Sequence, residues 1–86
     1  MEKPVRLLPR RELQSRFGMR SPNTVRDHVA RGLLTKPVRI SDGPTSPVAW
    51  PEREIEAIIA ARVRGERDSQ VRALVAELEA NRKAFT

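Results

Sequence analysis

Hydrophobic positions along this chain fall into short stretches of differing period, separated by proline and glycine. Leu7 and Leu8 form a brief apolar stretch, after which Leu13 and Phe17 recur at i, i+4, the spacing of one helix face. Pro9 suits the first turn of that helix and Gly18 stops it. Ser21-Pro22-Asn23-Thr24 is the strongest helix start in the chain: a serine accepts from orphan amides as N-cap, and proline fits the next position without losing a needed donor. Gly32 supplies a left-handed stop after about Arg31. Two short helices with a tight connection are therefore predicted. In the second, Val25, His28 and Val29 share one face, while Asn23, Arg26, Asp27 and Ala30 occupy another. One face packs and the other is presented.

From Lys36 the period changes to two. Val38 and Ile40 flank Arg39, the run from Ser41 to Pro47 is dense in turn formers, and Val48-Ala49-Trp50 alternates again, which reads as a hairpin with a several-residue tip. Pro37 and Pro47 lack the N–H a central ladder needs, so short edge strands are expected. Pro51-Glu52-Arg53-Glu54 restarts a helix whose buried stripe is Ile55, Ile58, Ile59 and Val63, with Glu52, Glu54 and Glu56 following helix-start and solvated-face logic. Gly65 breaks it, and Asp68-Ser69 can cap a last amphipathic helix carrying Val71, Leu74, Val75 and Leu78. The expected core is Leu13, Phe17, Val25, Val29, Ile40, Trp50, Ile55 and Ile59, with Trp50 anchoring the hairpin to the third helix and His28 partly buried and hydrogen-bonded.

Charge sharpens this picture. The chain of 86 residues carries a net +6, and the excess lies wholly in its first half. Residues 1–40 hold ten basic and three acidic side chains, whereas residues 41–86 hold seven and eight. A basic half of this kind points to an anionic partner. With no cysteine and one histidine, a disulfide framework and an ordinary zinc site are excluded. No stretch has signal-peptide or membrane-spanning character, so a cytoplasmic location without membrane association is expected. Nothing supplies a nucleophile–base constellation or a phosphate-cradling glycine loop, so neither enzyme activity nor a cofactor is expected.

Helix, tight turn, second helix, hairpin, third helix is the order of a small winged helix-turn-helix. The fold class expected is mainly α with a small β-hairpin: a winged helix-turn-helix over residues 1–64 and an added amphipathic helix over 65–86. Arg6-Leu7-Leu8, Glu12-Leu13, Gly18-Met19, Thr24-Val25, Arg31-Gly32, Lys36-Pro37-Val38, Val48-Ala49-Trp50 and Glu54-Ile55 resemble, in order and nearly in spacing, the AlpA-type phage and prophage transcriptional regulators, relatives of excisionases and of the DNA-binding end of MerR-type regulators. The resemblance covers about residues 5–62. It implies a module that binds operator or attachment-site DNA and recruits or blocks other proteins. Against the family pattern, the turn before Thr24 is one residue longer, the arginine after the Thr-Val pair has moved one position to Arg26, and the hairpin tip has no arginine.

In a helix-turn-helix the second helix points its first residues at base edges while flanking groups hold phosphates. Arg26 suits guanine O6 and N7, Asn23 adenine N6 and N7, Asp27 the cytosine amino group, and the Ala30 methyl a thymine. A solvated helix face is the plainer account of the same residues. Arg10, Arg11, Arg16, Arg20, Ser21, Thr24, Lys36 and Arg39 are the phosphate-contact candidates. Double-stranded DNA is thus the expected partner, with a second copy of the chain and an integrase or RNA polymerase subunit as further candidates. The last helix can fold back, self-associate or dock on such a protein. An excisionase would use the same module as a regulator. A protein-interaction adaptor acting through the last helix is the alternative of another class.

Overall fold

The computed structural model describes residues 6–84. Glu2 and Lys3, counted above in the basic half, and Phe85 lie outside the described residues. The chain is mainly helical, with four α-helices and a three-stranded antiparallel sheet. In order these are β1 (Leu7–Pro9), α1 (Arg10–Phe17), α2 (Pro22–Ala30), β2 (Val38–Arg39), β3 (Val48–Pro51), α3 (Glu52–Val63) and α4 (Asp68–Ala80), followed by a 3₁₀ turn over Asn81–Ala84.

The sheet differs from the two-stranded hairpin expected. Leu7 and Leu8 form a strand that pairs with β3, in the register Leu8 opposite Trp50 and Pro9 opposite Ala49, while β2 takes the other edge with Val38 opposite Ala49. The strand after the hairpin tip is therefore central, although prolines flank it. Pro47 lies just before β3 and contributes only its carbonyl, which accepts from the Ile40 N–H at 3.0 Å. Pro51 closes the strand, and the ladder continues past it through the Glu52 N–H to the Arg6 carbonyl at 2.7 Å. Pro47 thus lies outside the paired residues, and at Pro51, opposite Leu7, the bond to β1 is carried by the neighbouring Glu52 N–H. Pro9 and Pro51 each end a strand and stand at the N-cap of the next helix, one position before the first turn.

One core joins β1, β3 and the four α-helices. Leu8, Leu13, Val25, Leu33, Leu34, Trp50, Ile55, Ile58, Ala61, Val71 and Val75 are buried together, with Phe17, Val29, Ile59, Leu74 and Leu78 partly buried against them. Two expected members are corrected. Ile40 is 51% exposed, because it stands just beyond the last residue of β2, at the base of the exposed hairpin tip. Val63 is 82% exposed, because the buried face of α3 runs through Glu54, Ile55, Ile58 and Ala61, and two further residues turn a side chain by about 200°.

Glu54 is a third correction: expected on a solvated face, it is 1% exposed. Its two oxygens accept from Arg82 Nε at 2.9 Å and Nη2 at 2.7 Å, a bidentate pair that makes burial of the carboxylate tolerable. This bond and the carboxylate's charge hold the Arg82 guanidinium above its ordinary pKa, against the opposing effect of burial. The segment Leu33-Leu34-Thr35 is also buried, and it keeps its polar backbone satisfied partly through Trp50, whose Nε1 donates to the Thr35 carbonyl at 2.7 Å. The indole thus ties β3 to the segment that leaves α2.

The last helix, α4, folds back onto the rest of the domain. Val71 and Val75 are buried in the shared core. Its N-cap is Arg67, whose N–H donates to Gln70 Oε1 at 2.9 Å. Asp68, expected to cap, is bound instead by Arg62 Nη2 at 2.8 Å.

Candidate nucleic-acid interface

The connection from α1 to α2 is built from local signals. Gly18, at φ +72°, lets the Met19 N–H reach the Gln14 carbonyl at 2.8 Å and its own N–H reach Ser15 at 3.2 Å, which closes the last turn of α1. Three residues after Gly18, Ser21 stands extended, its Oγ accepting from the Asn23 N–H at 3.1 Å, with Pro22 opening the helix. Gly32, at φ +75°, ends α2 in the same way, through Leu33 N–H to His28 at 2.9 Å and its own N–H to Val29 at 3.1 Å.

Between these caps α2 has two distinct sides. Val25 is buried, with His28 and Val29 partly buried beside it. His28 Nδ1 lies 2.8 Å from the Thr24 carbonyl, a bond within the helix that fixes the ring. Asn23, Arg26, Asp27 and Ala30 are all exposed. At 3.6 residues per turn they fall within an arc of about 100° and span roughly 10 Å of helix axis. The structure therefore brings together the four residues assigned to base contact.

Their electrostatic states differ. Arg26 has neither hydrogen bond nor ion pair among the described residues, so its guanidinium fork is available. Asp27 lies 3.5 Å from Arg31 on the next turn, and Arg31 lies 3.8 Å from Asp68, which Arg62 also binds. The Asp27 carboxylate is thus one end of a surface relay reaching α4. Hydrogen bonding from Arg62 holds Asp68 below its ordinary pKa of 3.8, a direction the charges of Arg62, Arg72 and Arg31 reinforce and burial opposes.

The phosphate-contact candidates divide as well. Arg10, Arg11, Arg20 and Lys36 are exposed, and their cationic groups have no ion pair among the described residues. Ser21 and Thr24 lie at the start of α2, half-buried, with the Ser21 hydroxyl engaged as cap. Arg16 departs from the set. Its Nη2 lies 2.7 Å from Glu52 and 3.4 Å from Glu12, and Arg6 pairs with the same two carboxylates, so that Arg16 clamps α1 to the start of α3. The bond to Glu52 leads the contributions that raise the Arg16 pKa. Arg39 also differs, since its guanidinium folds back onto the Gly43 carbonyl and closes the hairpin tip.

No protein family, curated protein or solved structure matches this chain. The site is therefore defined by its own geometry. Among the described residues no group of three or more His, Cys, Asp or Glu could hold a metal ion, and no helix is long and apolar enough to cross a membrane.

What the sequence pattern missed is the contribution of α4 and the 3₁₀ turn after it to this region. Arg72 donates from Nε to the Arg31 carbonyl at 2.8 Å, Glu79 accepts from the Lys36 N–H at 2.8 Å, and Arg82 donates to the Lys36 carbonyl at 2.6 Å. More than forty residues separate the partners of each bond, so no local spacing announces them.

Proposed function

We propose that this protein is a sequence-specific double-stranded DNA-binding regulator with a winged helix-turn-helix architecture. In this reading α2 enters the major groove and the β2–β3 hairpin is the wing. The observation that carries it is the presented face of α2. Asn23 and Arg26, the latter unpaired among the described residues, stand one turn apart at the N-terminal half of the second helix of a tight-turn pair, opposite the buried Val25. That is where a helix-turn-helix reads bases, and those are side chains with bidentate partners on adenine and guanine. Ala30 continues the face with a methyl, and Asp27 orients Arg31 as well as facing the bases. Arg10, Arg11, Arg20 and Lys36 supply sequence-independent attraction to phosphates. Arg39 is folded onto its own turn and Asp42 offsets its charge, so the wing contributes little net charge.

The resemblance to AlpA-type regulators extends this reading to a cytoplasmic transcriptional regulator of a phage, prophage or mobile element. Burial of Val71 and Val75 removes most of the apolar face on which an adaptor role for the last helix would depend.

The test is selection of genomic fragments by purified protein at near-physiological salt, run beside an Asn23→Ala, Arg26→Ala double variant. Wild type is expected to enrich a short motif. The variant is expected to lose it while keeping weak, salt-sensitive binding, since each bidentate pair contributes about 1–3 kcal/mol of discrimination. Equal enrichment by both proteins, or none by wild type, refutes the assignment. A motif overlapping a promoter identifies a transcriptional regulator, and direct repeats beside an attachment site identify an excisionase.

A further inference from the structure

We propose that Arg72, on α4, is a positioning residue for base readout: it sets the orientation of α2 without touching DNA. The inference rests on the reading of α2 as the recognition helix. It starts from the way α4 and the 3₁₀ turn after it grip the chain that leaves α2. Asp68 and Arg72, one turn apart, hold Arg31 from two sides, the carboxylate 3.8 Å from its guanidinium and the Arg72 Nε 2.8 Å from its carbonyl. Glu79 and Arg82 hold Lys36 in the same manner, one on its N–H and the other on its carbonyl. An acid and an arginine thus fix each end of the segment from Arg31 to Lys36, which connects α2 to β2. The Arg72 side chain also lies over Gly32, its Cγ 3.5 Å from where a Cβ would stand.

Arg31 is the C-cap of α2. A guanidinium there satisfies a carbonyl that the helix leaves open and meets the negative end of its dipole. Because α2 is only nine residues long, a tilt at this end displaces the whole presented face. Base-edge hydrogen bonds tolerate displacements of a few tenths of an ångström, whereas attraction to phosphates does not depend on register. Loss of the Arg72 contact should therefore weaken specific binding more than non-specific binding. That asymmetry separates positioning from simple stabilisation, because unfolded protein lowers both affinities alike and leaves their ratio unmoved. It also separates positioning from direct phosphate contact, which would alter the salt dependence.

The experiment measures the affinities of wild type, Arg72→Ala and Arg72→Lys for the motif-bearing duplex and for a random duplex across a salt series, below the melting temperature of each. The expected result is a specific-to-random ratio about fivefold lower in Arg72→Ala, the order of one lost hydrogen bond, with partial recovery in Arg72→Lys. The slope of log affinity against log salt on random duplex should not change. A ratio equal to that of wild type overturns the inference, as does a slope reduced by about 0.9, the signature of a lost phosphate contact. If the wild type enriches no motif, or if Asn23→Ala, Arg26→Ala keeps it, the recognition-helix reading fails and this inference with it. If discrimination depends on Asn23 and Arg26 but is untouched in Arg72→Ala, the inference alone fails.

Discussion

Replacing Arg82 with alanine should be among the most damaging single changes in this chain, although the residue stands in a four-residue 3₁₀ turn of a kind that ordinarily frays. Arg82 makes both hydrogen bonds to Glu54, which is 1% exposed and loses both when the guanidinium is gone. Removing one partner of a buried ion pair costs about 3–5 kcal/mol, because the other charge is left uncompensated. The lost bond to the Lys36 carbonyl adds about 1 kcal/mol. A domain of this size has roughly 4–13 kcal/mol in total, so Arg82→Ala removes a third or more of it. Urea unfolding followed through the single tryptophan, Trp50, which is 2% exposed, measures the loss directly. Arg82→Lys should fall between, since an ammonium retains the charge without the fork. A double variant with leucine at both positions should cost far less than the sum of the single changes. A loss below about 1 kcal/mol for Arg82→Ala, the value of an exposed pair, would refute the account of Glu54 as a buried, dependent charge.

Thr35 is fully buried and its Oγ1 has no hydrogen-bond partner among the described residues, so Thr35→Val should be neutral or stabilising by about 1 kcal/mol in the same unfolding assay; a cost above about 1 kcal/mol would show that the hydroxyl has a partner. Asp68 has a folded pKa below 3.8, so its stabilising contribution is complete above that value and disappears as pH falls through the lower folded value. The stability difference between wild type and Asp68→Asn should accordingly be constant above pH 3.8 and shrink below it, and a difference that persists to about pH 2 would contradict the Arg62 pairing. Each of Arg10→Ala, Arg11→Ala and Arg20→Ala should reduce the salt slope of binding to random duplex by about 0.9 if it meets a phosphate, whereas Arg16→Ala should leave the slope alone and lower thermal stability.

Much of α1, α2 and their connection was legible because the signals are local. Ser21-Pro22 opens α2, and Gly18 and Gly32 close helices through bonds spanning five residues or fewer. The periodicity of α2 likewise separated Val25 from Asn23 and Arg26. What escaped depends on partners far away in sequence. Leu7-Leu8 becomes a strand only because Trp50 and Pro51 lie beside it. Glu54 resembles any helix-start acid until Arg82 arrives, and Arg16 looks free until Glu52 is placed next to it. Ile40 and Val63 failed for a different reason: apolar residues at the end of a strand or helix extend a pattern beyond the surface that covers it.

The strand order β1-β3-β2 also imposes a timetable on synthesis. Both edge strands precede the central strand they pair with, and Leu7 is made 41 residues before Val48. At roughly 5–20 residues per second, β1 waits about 2–8 seconds for its partner. During that interval Leu8, later fully buried, has no sheet to join. A long apolar strand waiting in this state would be an invitation to other chains, but β1 has three residues and ends in Pro9, and β2 has two and follows Pro37. Pro9 and Pro37 thus protect the unfinished edges of the sheet on the ribosome.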